Sequence, residues 1–434
     1  MQAKMGLEKF IIRGGNPVCG TITPKGSKNE ALPVIAATLL TRDPVVLHNL
    51  PEIEDVLTML QIIEAIGGTV ERLAPSTYKV HTAEVKTWRL DEDLCRHVRA
   101  SILFMGALVA RKKKLEMPPP GGDVIGRRRL DTHFSGMQAL GAEVKTGRTY
   151  FIECEKLIGA DIFLDEASVT GTENILMAAA LASGTTVIRN AACEPHVQGL
   201  ARLLVSMGAK IQGIGTNLLT IEGVKELGGT EYRIGPDYLE IGSFIGMAAA
   251  TGGELRIRDV RKDDMRSILL NYRKLGIETY YGEEETLVVP GRQELKIQKE
   301  LHDSIPKIDD APWPQFPTDL MSISIVVATQ ARGTIIFFEK MFDGRMYFVD
   351  RIIAMGATII PCDPHRVVVA GPNKLYGGRM ESPDIRAGMA LLIAGLCAEG
   401  ETEIFNIRQI DRGYEHIDSR LREIGADIQR VPLG

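Results

Sequence analysis

A buried helix followed by glycine and a β-branched strand is encoded in Glu173-Asn-Ile-Leu-Met-Ala-Ala-Ala-Leu-Ala-Ser-Gly-Thr-Thr-Val-Ile188. Because small and apolar residues lie on every side of such a helix, we predict that it is buried. Further along the chain, Met207-Gly208-Ala209 ends an amphipathic stretch and precedes a strand-like one. Glycine serves as the C-cap of a helix because it adopts the left-handed conformation without strain. The two phrases together predict a unit of alternating helices and strands.

The glycine cap recurs six times along the 434 residues. Its copies are Ile66-Gly67-Gly68, Leu140-Gly141-Ala142, Met207-Gly208-Ala209, Leu275-Gly276-Ile277, Met355-Gly356-Ala357 and Ile424-Gly425-Ala426. By subtraction, the glycines are 74, 67, 68, 80 and 69 residues apart. Near-even copies indicate internal duplication. We therefore predict an α/β protein of six repeated units, grouped as two globules of three, with the apolar helices inside.

Composition excludes several classes of protein. The chain has 51 Lys and Arg against 56 Asp and Glu, a formal charge of -5, which argues against a general nucleic-acid binder. No apolar run approaches the ~18 residues of a membrane span, and no signal-peptide core is visible. The six cysteines are dispersed without a CxxC pair, which predicts reduced thiols and no zinc site. We expect a cytoplasmic protein.

The familiar motifs of nucleotide and metal chemistry do not occur in the sequence. There is no GxxxxGK[ST], no GxSxG and no His pair at metal spacing. Gly213-Ile-Gly215 begins like a dinucleotide fingerprint, but Leu218 stands where the third glycine belongs. Hydride transfer, P-loop hydrolysis and zinc chemistry therefore lose support.

Charged residues at turns are the remaining candidates for chemistry. Lys28 precedes an apolar helix, whose N-terminus favours an anion, although a solvated Lys beside a Ser cap is the simpler alternative. Arg99 opens the apolar run 100–110, either as an anion ligand or as a snorkelling cap. Asp319 starts another apolar helix, where it is alternatively an N-cap.

The loop 118–133 combines Pro and Gly with one acid and three successive arginines before Leu130. Solvated charges on an exposed loop are the plain alternative for such a run. Further basic residues, Arg345, Arg386 and Arg412, lie at turns of later repeats. Since the repeats place them at corresponding ends, we infer that they converge on one anionic site.

The ordered set of motifs closely resembles the UDP-N-acetylglucosamine 1-carboxyvinyltransferase family of enolpyruvyl transferases, over nearly the whole chain. The matching stretches are Gly26-Ser-Lys-Asn-Glu-Ala-Leu-Pro33, Arg99-Ala-Ser-Ile102, Pro120-Gly-Gly-Asp-Val-Ile-Gly126, Gly171-Thr-Glu-Asn174, Phe316-Pro-Thr-Asp319, Asp384-Ile-Arg-Ala387 and Ile410-Asp-Arg-Gly-Tyr-Glu415. The resemblance implies two inside-out α/β domains, each of three repeated units. Residues 28–235 would form the domain with the catalytic loop, residues 1–27 and 236–434 the other, and the cleft between them the active site.

The resemblance also implies a reaction. Enolpyruvate passes from phosphoenolpyruvate to the 3'-hydroxyl of UDP-N-acetylglucosamine by addition and elimination, and phosphate is released. No metal and no organic cofactor is implied, and the partners are these two small molecules alone. The step would be the first committed one of peptidoglycan precursor synthesis, and hence serve cell-wall biogenesis, cell shape and cell division.

Residue roles follow from the same resemblance. The catalytic residues implied are Lys28, Asp123, Asp319 and Arg412. Those implied to bind phosphoenolpyruvate are Lys28, Asn29, Arg128, Arg345, Asp384, Arg386 and Arg412. Those implied to bind the UDP-sugar are Asn29, Arg99, Arg128, Arg129, Leu130, Asp131, Thr132, His133, Ser168, Val169, Asp319 and Met341. Asp319 would hold the sugar hydroxyl and accept its proton.

The sequence departs from the commonest family pattern at three positions. Asp123 stands where many members have Cys, Arg129 replaces a Pro, and Gln409 replaces a His. We hypothesise that Asp123, on a loop that closes as a lid, donates the proton to C3 of phosphoenolpyruvate. Since fosfomycin alkylates the Cys of Cys-type members, we predict that this chain is insensitive to it.

Two further functions stay open at this level. One is an enolpyruvyl transferase for a different acceptor, either shikimate 3-phosphate or another uridine nucleotide of secondary metabolism. The other is a non-catalytic paralogue that binds a UDP-sugar. The Gly-Ser-Lys-Asn and Phe-Pro-Thr-Asp signatures favour the UDP-sugar branch, and the retained arginines favour an enzyme.

Overall fold

The computed structural model describes residues 8–122, 126 and 128–433, which form two compact units. The N-terminal unit runs from Lys25 to Gly235, apart from a short insertion that includes Gly126. The C-terminal unit contains the residues up to Pro24, that insertion and the chain from Pro236 onward. Within the described residues, no helix is long and apolar enough to cross a membrane.

Helices and strands alternate along both units. The strands, numbered in chain order, are β1 Glu8–Arg13, β2 Gly20–Ile22, β3 Val45–His48, β4 Thr69–Ala74, β5 Thr77–His81, β6 Lys114–Met117, β7 Glu143–Lys145, β8 Tyr150–Glu153, β9 Asp161–Phe163, β10 Thr185–Arg189, β11 Lys210–Gln212, β12 Leu218–Glu222, β13 Thr230–Arg233, β14 Leu255–Ile257, β15 Tyr280–Tyr281, β16 Leu287–Val289, β17 Lys307–Asp309, β18 Gly333–Phe338, β19 Thr358–Asp363, β20 Arg366–Gly371, β21 Arg379–Glu381, β22 Glu401–Phe405 and β23 Asp427–Pro432. The α-helices are α1 Lys28–Ala37, α2 Glu54–Ala65, α3 Glu92–His97, α4 Phe104–Lys112, α5 Asp131–Ala139, α6 Val169–Ala180, α7 Pro195–Ser206, α8 Tyr238–Thr251, α9 Lys262–Lys274, α10 Met321–Gln330, α11 Val349–Ala354, α12 Ile385–Cys397, α13 Arg408–Asp411 and α14 Ile417–Glu423. The 3-10 helices are Thr38–Leu40, Arg99–Leu103, Leu301–Asp303 and Thr318–Leu320.

Three apolar helices occupy the centre of each unit. In the N-terminal unit α1, α4 and α6 are buried along almost their whole length and pack on one another. In the C-terminal unit α8, α10 and α12 do the same. Glycine permits the close approach, since a Cβ on Gly106 of α4 would lie 2.1 Å from the Asn174 carbonyl oxygen of α6. The predicted burial of the apolar helices is confirmed.

Within the described residues, each unit contains three sheets around its inner helices, and the five four-stranded sheets share one strand order. The sheets of the N-terminal unit are β13-β3-β5-β4, β6-β8-β7 and β11-β12-β10-β9. Those of the C-terminal unit are β15-β16-β14-β2, β17-β18-β20-β19 and β21-β22-β1-β23. A parallel edge pair continues into two antiparallel strands in every four-stranded sheet. In β6-β8-β7 the parallel bridge between Arg89 and Glu116 takes the place of the edge strand. The predicted α/β fold of two inside-out halves, each with three repeated units, is confirmed.

The six predicted glycine caps are confirmed, because all six glycines have a positive φ, between 82° and 107°. Each cap closes with the same two hydrogen bonds. After α7, for example, the amide of Gly208 donates to Val205 and the amide of Ala209 donates to Leu204, both at 2.9 Å. This is the Schellman arrangement, which satisfies the last carbonyls of a helix while the chain turns into the next strand.

Candidate active site

Lys28, the first residue of α1, is buried in the N-terminal unit. The helix is capped by Ser27, whose side chain accepts from the amide of Glu30. The ammonium of Lys28 lies 2.7 Å from Oδ2 of Asp55, which is buried in the first turn of α2. The simpler expectation of a solvated Lys is therefore wrong, because an acidic partner compensates its burial. Asn29, the next residue, is half-buried.

Arg99 begins the 3-10 helix Arg99–Leu103, and its Nη2 donates to the Arg128 carbonyl oxygen at 2.8 Å. Burial, together with repulsion from Arg128, lowers the pKa of Arg99 to about 10. Asn174 of α6 fixes the 3-10 helix in place. Its amide donates to the Ile102 carbonyl at 3.0 Å, and its Oδ1 accepts from the Gly106 amide at 2.7 Å.

An exposed set of ion pairs follows Arg128, and we call residues 128–133 with Asp165 the Arg129 segment. Arg129 lies 3.1 Å from Oδ2 of Asp131 and 3.1 Å from Oδ2 of Asp165. The hydroxyl of Thr132 donates to Asp165 at 2.8 Å. Leu130, which lies between Arg129 and Asp131 in the sequence, is half-buried. Nothing in the sequence singled out Asp165, which joins two parts of the chain.

His133 is buried in α5, with Nε2 2.9 Å from the Thr170 hydroxyl. Burial, with a smaller effect of Arg99, lowers the pKa of His133 to about 4, so the ring is neutral at pH 7. Ser168 precedes Thr170 and caps α6 by accepting from the Gly171 amide at 3.2 Å, and Val169 is the first helical residue. The structure thus brings together the predicted UDP-sugar residues from Arg99 to Val169.

The C-terminal unit holds a compact group of four charged residues, Asp319, Arg345, Asp384 and Arg386, which we call the Asp319 cluster. Oδ1 of Asp319 accepts from Nη2 of Arg345 at 2.8 Å, and Oδ2 accepts from Nε of Arg386 at 3.2 Å. Asp319 lies inside the 3-10 helix Thr318–Leu320. The side chain is therefore directed at two guanidinium groups, and the alternative expectation of an N-cap is wrong, because the N-caps here are Pro317 and Leu320.

Asp384 caps α12 by accepting from the amides of Arg386 and Ala387, at 2.8 and 3.0 Å. Its Oδ1 lies 3.9 Å from Nη1 of Arg345. Burial lowers the pKa of Arg345 and Arg386, whereas the carboxylates around them raise it. The net result is that the pKa of both lies above the ordinary value. Two buried cations and two carboxylates are thus held in fixed pairs.

Tyr414 supports Arg386 and was not predicted as a site residue, although it lies in a quoted motif. Its hydroxyl accepts from Nη1 of Arg386 at 3.2 Å and lies 2.8 Å from the Ser243 hydroxyl. The guanidinium also lies 5.4 Å from the centre of the Tyr414 ring, in cation–π range. Both contacts restrict the orientation of Arg386.

The other predicted residues of this unit lie nearby in the fold. Arg412 is the C-cap of α13, which packs on α12, and its Nη1 donates to Oε1 of Gln409 at 2.8 Å. Gln409, a departure from the family pattern, therefore orients Arg412. Met341 is partly exposed, and its amide donates to Oε1 of Glu339 at 3.1 Å.

Asp123, the predicted proton donor, lies outside the described residues, as do residues 124, 125 and 127 of the predicted lid. Among the residues that the structure does describe, no three His, Cys, Asp or Glu side chains form a group that could hold a metal ion.

Known structures define the class of this fold. Over 99% of its length the chain superposes on the enolpyruvyl transferase NikO from Streptomyces tendae, with a TM-score of 0.87 at 20% sequence identity, covering 100% of that chain. The EPSP synthase of Acinetobacter baumannii gives a TM-score of 0.75 over 98% of this chain and 99% of that one, also at 20% identity. The fold is that of the enolpyruvyl transferases.

Sequence comparison gives the family itself. The family model for EPSP synthase (3-phosphoshikimate 1-carboxyvinyltransferase) matches residues 12–421, so the chain belongs to this family. It is 56% identical to the UDP-N-acetylglucosamine 1-carboxyvinyltransferase of Treponema denticola, over 98% of this chain and 99% of the relative. The enzyme of the same name from Bradyrhizobium diazoefficiens is 52% identical over 98% of both chains. The resemblance seen in the motifs is confirmed.

Proposed function

We propose that this chain transfers the enolpyruvyl group of phosphoenolpyruvate to the 3'-hydroxyl of UDP-N-acetylglucosamine and releases phosphate. Relatives at 52–56% identity over nearly the whole chain are named for carboxyvinyl transfer to that sugar nucleotide. The sequence has the charged residues that the resemblance assigns to the reaction, Lys28, Arg345, Arg386, Arg412 and Asp319. Together these findings support the sugar nucleotide over shikimate 3-phosphate as the acceptor.

The pairing of Asp319 with Arg345 and Arg386 is the observation that carries the proposal. Phosphoenolpyruvate presents a phosphate and a carboxylate, and guanidinium groups bind both in bidentate geometry. A carboxylate beside them is suited to accept the proton of an incoming hydroxyl. One cluster therefore holds the groups for both halves of the reaction.

The proposed reaction has two steps in which atoms and charge balance. The 3'-oxygen bonds to C2 of phosphoenolpyruvate, its proton passes to Asp319, and C3 gains a proton, which we assign to Asp123. The C2–O bond to the phosphate group then breaks, phosphate leaves with the proton that Asp319 accepted, and C3 returns a proton to the Asp123 carboxylate as the double bond is restored. Held in place by the protein, the two substrates react without the entropic cost of a bimolecular encounter.

The remaining roles are those that the resemblance to the family implies. Around phosphoenolpyruvate we place Lys28, Asn29, Arg128, Arg345, Asp384, Arg386 and Arg412. Along the UDP-sugar we place Asn29, Arg99, Arg128, Arg129, Leu130, Asp131, Thr132, His133, Ser168, Val169, Asp319 and Met341. The N-terminus of α6 at Val169 supplies amide donors suited to a diphosphate. Neutral His133 contributes hydrogen bonding there without adding charge.

Phosphate release from phosphoenolpyruvate tests the function directly. The purified chain is incubated with UDP-N-acetylglucosamine, UMP or shikimate 3-phosphate, and the product is weighed by mass spectrometry. Of the three acceptors, we expect only UDP-N-acetylglucosamine to give phosphate release, together with a product heavier by one enolpyruvyl group. Phosphate release only with another acceptor would show that this acceptor, and not UDP-N-acetylglucosamine, is the substrate. Phosphate release with none of them would favour a binding protein.

Asp123 gives a second, independent test. Because a carboxylate there cannot form the thioether that fosfomycin makes with Cys, we expect no covalent adduct by intact-mass spectrometry and no loss of activity. In the variant D123C we expect an adduct of one inhibitor molecule. An adduct at Asp123 in the unaltered chain, or full activity in D123A, would contradict the assignment.

The proposed product is a precursor of peptidoglycan, so we place the reaction in the cytoplasm, where nucleotide sugars and phosphoenolpyruvate are found. Through this step the chain would serve cell-wall biogenesis, cell shape and cell division.

A further inference from the structure

Two carboxylic side chains, Asp310 and Glu339, are completely buried side by side in the C-terminal unit. Asp310 directly follows β17 and Glu339 directly follows β18. These strands are parallel neighbours, with Asp309 paired to Phe338. Their carboxyl ends meet at one edge of the sheet, and therefore the two acids lie together without solvent.

The hydrogen bonds around the pair leave one position for a proton. Oε1 of Glu339 accepts from the Thr318 hydroxyl and from the amides of Met341 and Phe342, at 3.0, 3.1 and 3.0 Å. Oδ1 of Asp310 accepts from the Lys340 amide at 2.6 Å. Oδ2 of Asp310 is buried and has no donor within the described residues. A proton on the Glu339 carboxyl group would supply the donor that Oδ2 of Asp310 otherwise lacks.

The surrounding charges favour this protonated form. Burial and then Asp310 raise the pKa of Glu339 to about 8, against the attraction of Arg345. Lys340 directs its ammonium at Asp309, and the His365 ring contacts the main-chain oxygen of Glu339 rather than its carboxyl group. The other charged residues on the packed segments are Lys307, Asp319, Asp343, Asp363 and Arg366. Of these, Lys307 and Arg366 pair with Asp309 and Asp363.

Both segments that Glu339 holds lead into the Asp319 cluster. Thr318 is the neighbour of Asp319 in the 3-10 helix, and its hydroxyl contacts both oxygens of Glu339, at 3.0 and 2.8 Å. Met341 and Phe342 begin the stretch that ends at Arg345. One buried carboxyl group therefore fixes the backbone on either side of the ion pair between Asp319 and Arg345.

We propose that Glu339 shares a proton with Asp310 and acts in this form as a positioning residue. The protonated pair keeps Asp319 and Arg345 in their paired geometry. Loss of the proton at alkaline pH places two anions together without water, displaces both segments and slows the transfer reaction. The activity readout rests on the proposed function, whereas the proton itself is measurable without any substrate.

The variant E339Q tests the role, because its amide keeps an oxygen acceptor and donates permanently to Asp310. We expect wild-type kcat to fall as the pH rises through about 8 and E339Q to lack that fall, with kcat at pH 7 close to wild type. The exposed E381Q and the neighbouring H365N serve as controls and should keep the wild-type profile. An alkaline fall unchanged in E339Q would overturn the proposal.

Two readouts separate this proposal from the proposed function. Infrared spectroscopy at pH 7 should show the carbonyl stretch of a buried carboxylic acid, lost in E339Q and retained in E381Q. The pKa of Glu339 is higher in the folded protein, at about 8, than the ordinary value of 4.5. The protonated group therefore contributes stability that is full below about pH 4.5 and is lost as the pH rises through about 8. Wild-type unfolding free energy should therefore fall relative to E339Q across that window. Absence of both signals overturns the shared proton, whatever substrate the chain uses.

Discussion

The Asp319 cluster and the Arg129 segment differ in how far the charged side chains of their ion pairs are exposed to solvent. In the cluster, the side chains of Arg345 and Arg386 are only 4% and 5% exposed. In the segment, those of Arg129 and Asp165 are 43% and 49% exposed. Exposed ion pairs contribute about 0–1 kcal/mol, whereas loss of one partner from a buried pair costs about 3–5 kcal/mol. We therefore expect the reaction rate to depend on the cluster and only nucleotide affinity to depend on the segment.

Arg99 represents a third arrangement, with its guanidinium bonded to a main-chain carbonyl. Its position depends on the 3-10 helix that Asn174 ties to α6. In the C-terminal unit, carboxylates position the arginines directly. The comparison indicates that Arg99 depends on rigid backbone for its position, whereas Arg345 and Arg386 depend on paired charge.

The largest effect is expected from D319N, which removes the proton acceptor and the charge shared by Arg345 and Arg386. Because general-base catalysis contributes about 10²–10⁴-fold, kcat should fall by that factor. Steady-state phosphate release measures it, with the exposed D350N of α11 as the matched control. An unchanged kcat in D319N would remove Asp319 from the reaction.

Asn174 tests the rigid-backbone arrangement. The variant N174A leaves the Ile102 carbonyl and the Gly106 amide without their buried partners. At about 1–3 kcal/mol for each of the two unsatisfied groups, the unfolding free energy should fall by about 2–6 kcal/mol in urea titrations. The exposed N217A is the control, and equal stabilities of the two variants would show that Asn174 does not hold the 3-10 helix.

His133 gives the N-terminal unit a pH dependence opposite to that of Glu339. Its folded pKa of about 4 lies below the unfolded value of about 6.5, so the unfolded chain binds the proton first. The contribution of neutral His133 to the unfolding free energy is therefore full above pH 6.5. As the pH falls to 4, about 3 kcal/mol of this contribution is lost.

The measurement for His133 is the unfolding free energy of wild type and H133Q between pH 7 and 4. We expect wild type to lose stability relative to H133Q over this range, whereas the variant H302Q, at an exposed histidine, follows wild type. Parallel curves for wild type and H133Q would mean that the folded protein accepts the proton on His133.

The smallest effect is expected from R129A, because its two ion pairs are exposed to solvent. The KM for UDP-N-acetylglucosamine should rise by no more than about fivefold, with kcat unchanged, and the rise should shrink at high salt. The exposed R148A is the control. A fall in kcat would show that Arg129 contributes to the chemical step.

Local sequence signals predicted the framework of the fold well. The cap at Gly208 and the apolar helix at 173–180 depend on neighbours a few residues away, and both have the expected structure. The partners of the site charges were not predictable in this way. Arg386 pairs with Asp319 across 67 residues, and which carboxylate it meets depends on the packing of α12 on its neighbours.

The same limit explains the residues that the sequence did not reveal. Asp55 looks like an ordinary acid in the first turn of α2, and Asp165 like one in a loop. Glu339 follows a strand with no motif around it. Each acquires its role only when the fold brings a distant partner to it, so a single sequence carries no local mark of that role.

Steady-state kinetics of D319N beside R129A, with kcat and the KM for UDP-N-acetylglucosamine measured for both, test whether the Asp319 cluster sets the reaction rate and Arg129 only the nucleotide affinity. We expect a fall in kcat of about 10²–10⁴-fold for D319N and a change confined to KM for R129A. Equal falls in kcat for the two variants, or a change confined to KM in D319N, would contradict the division between the Asp319 cluster and the Arg129 segment.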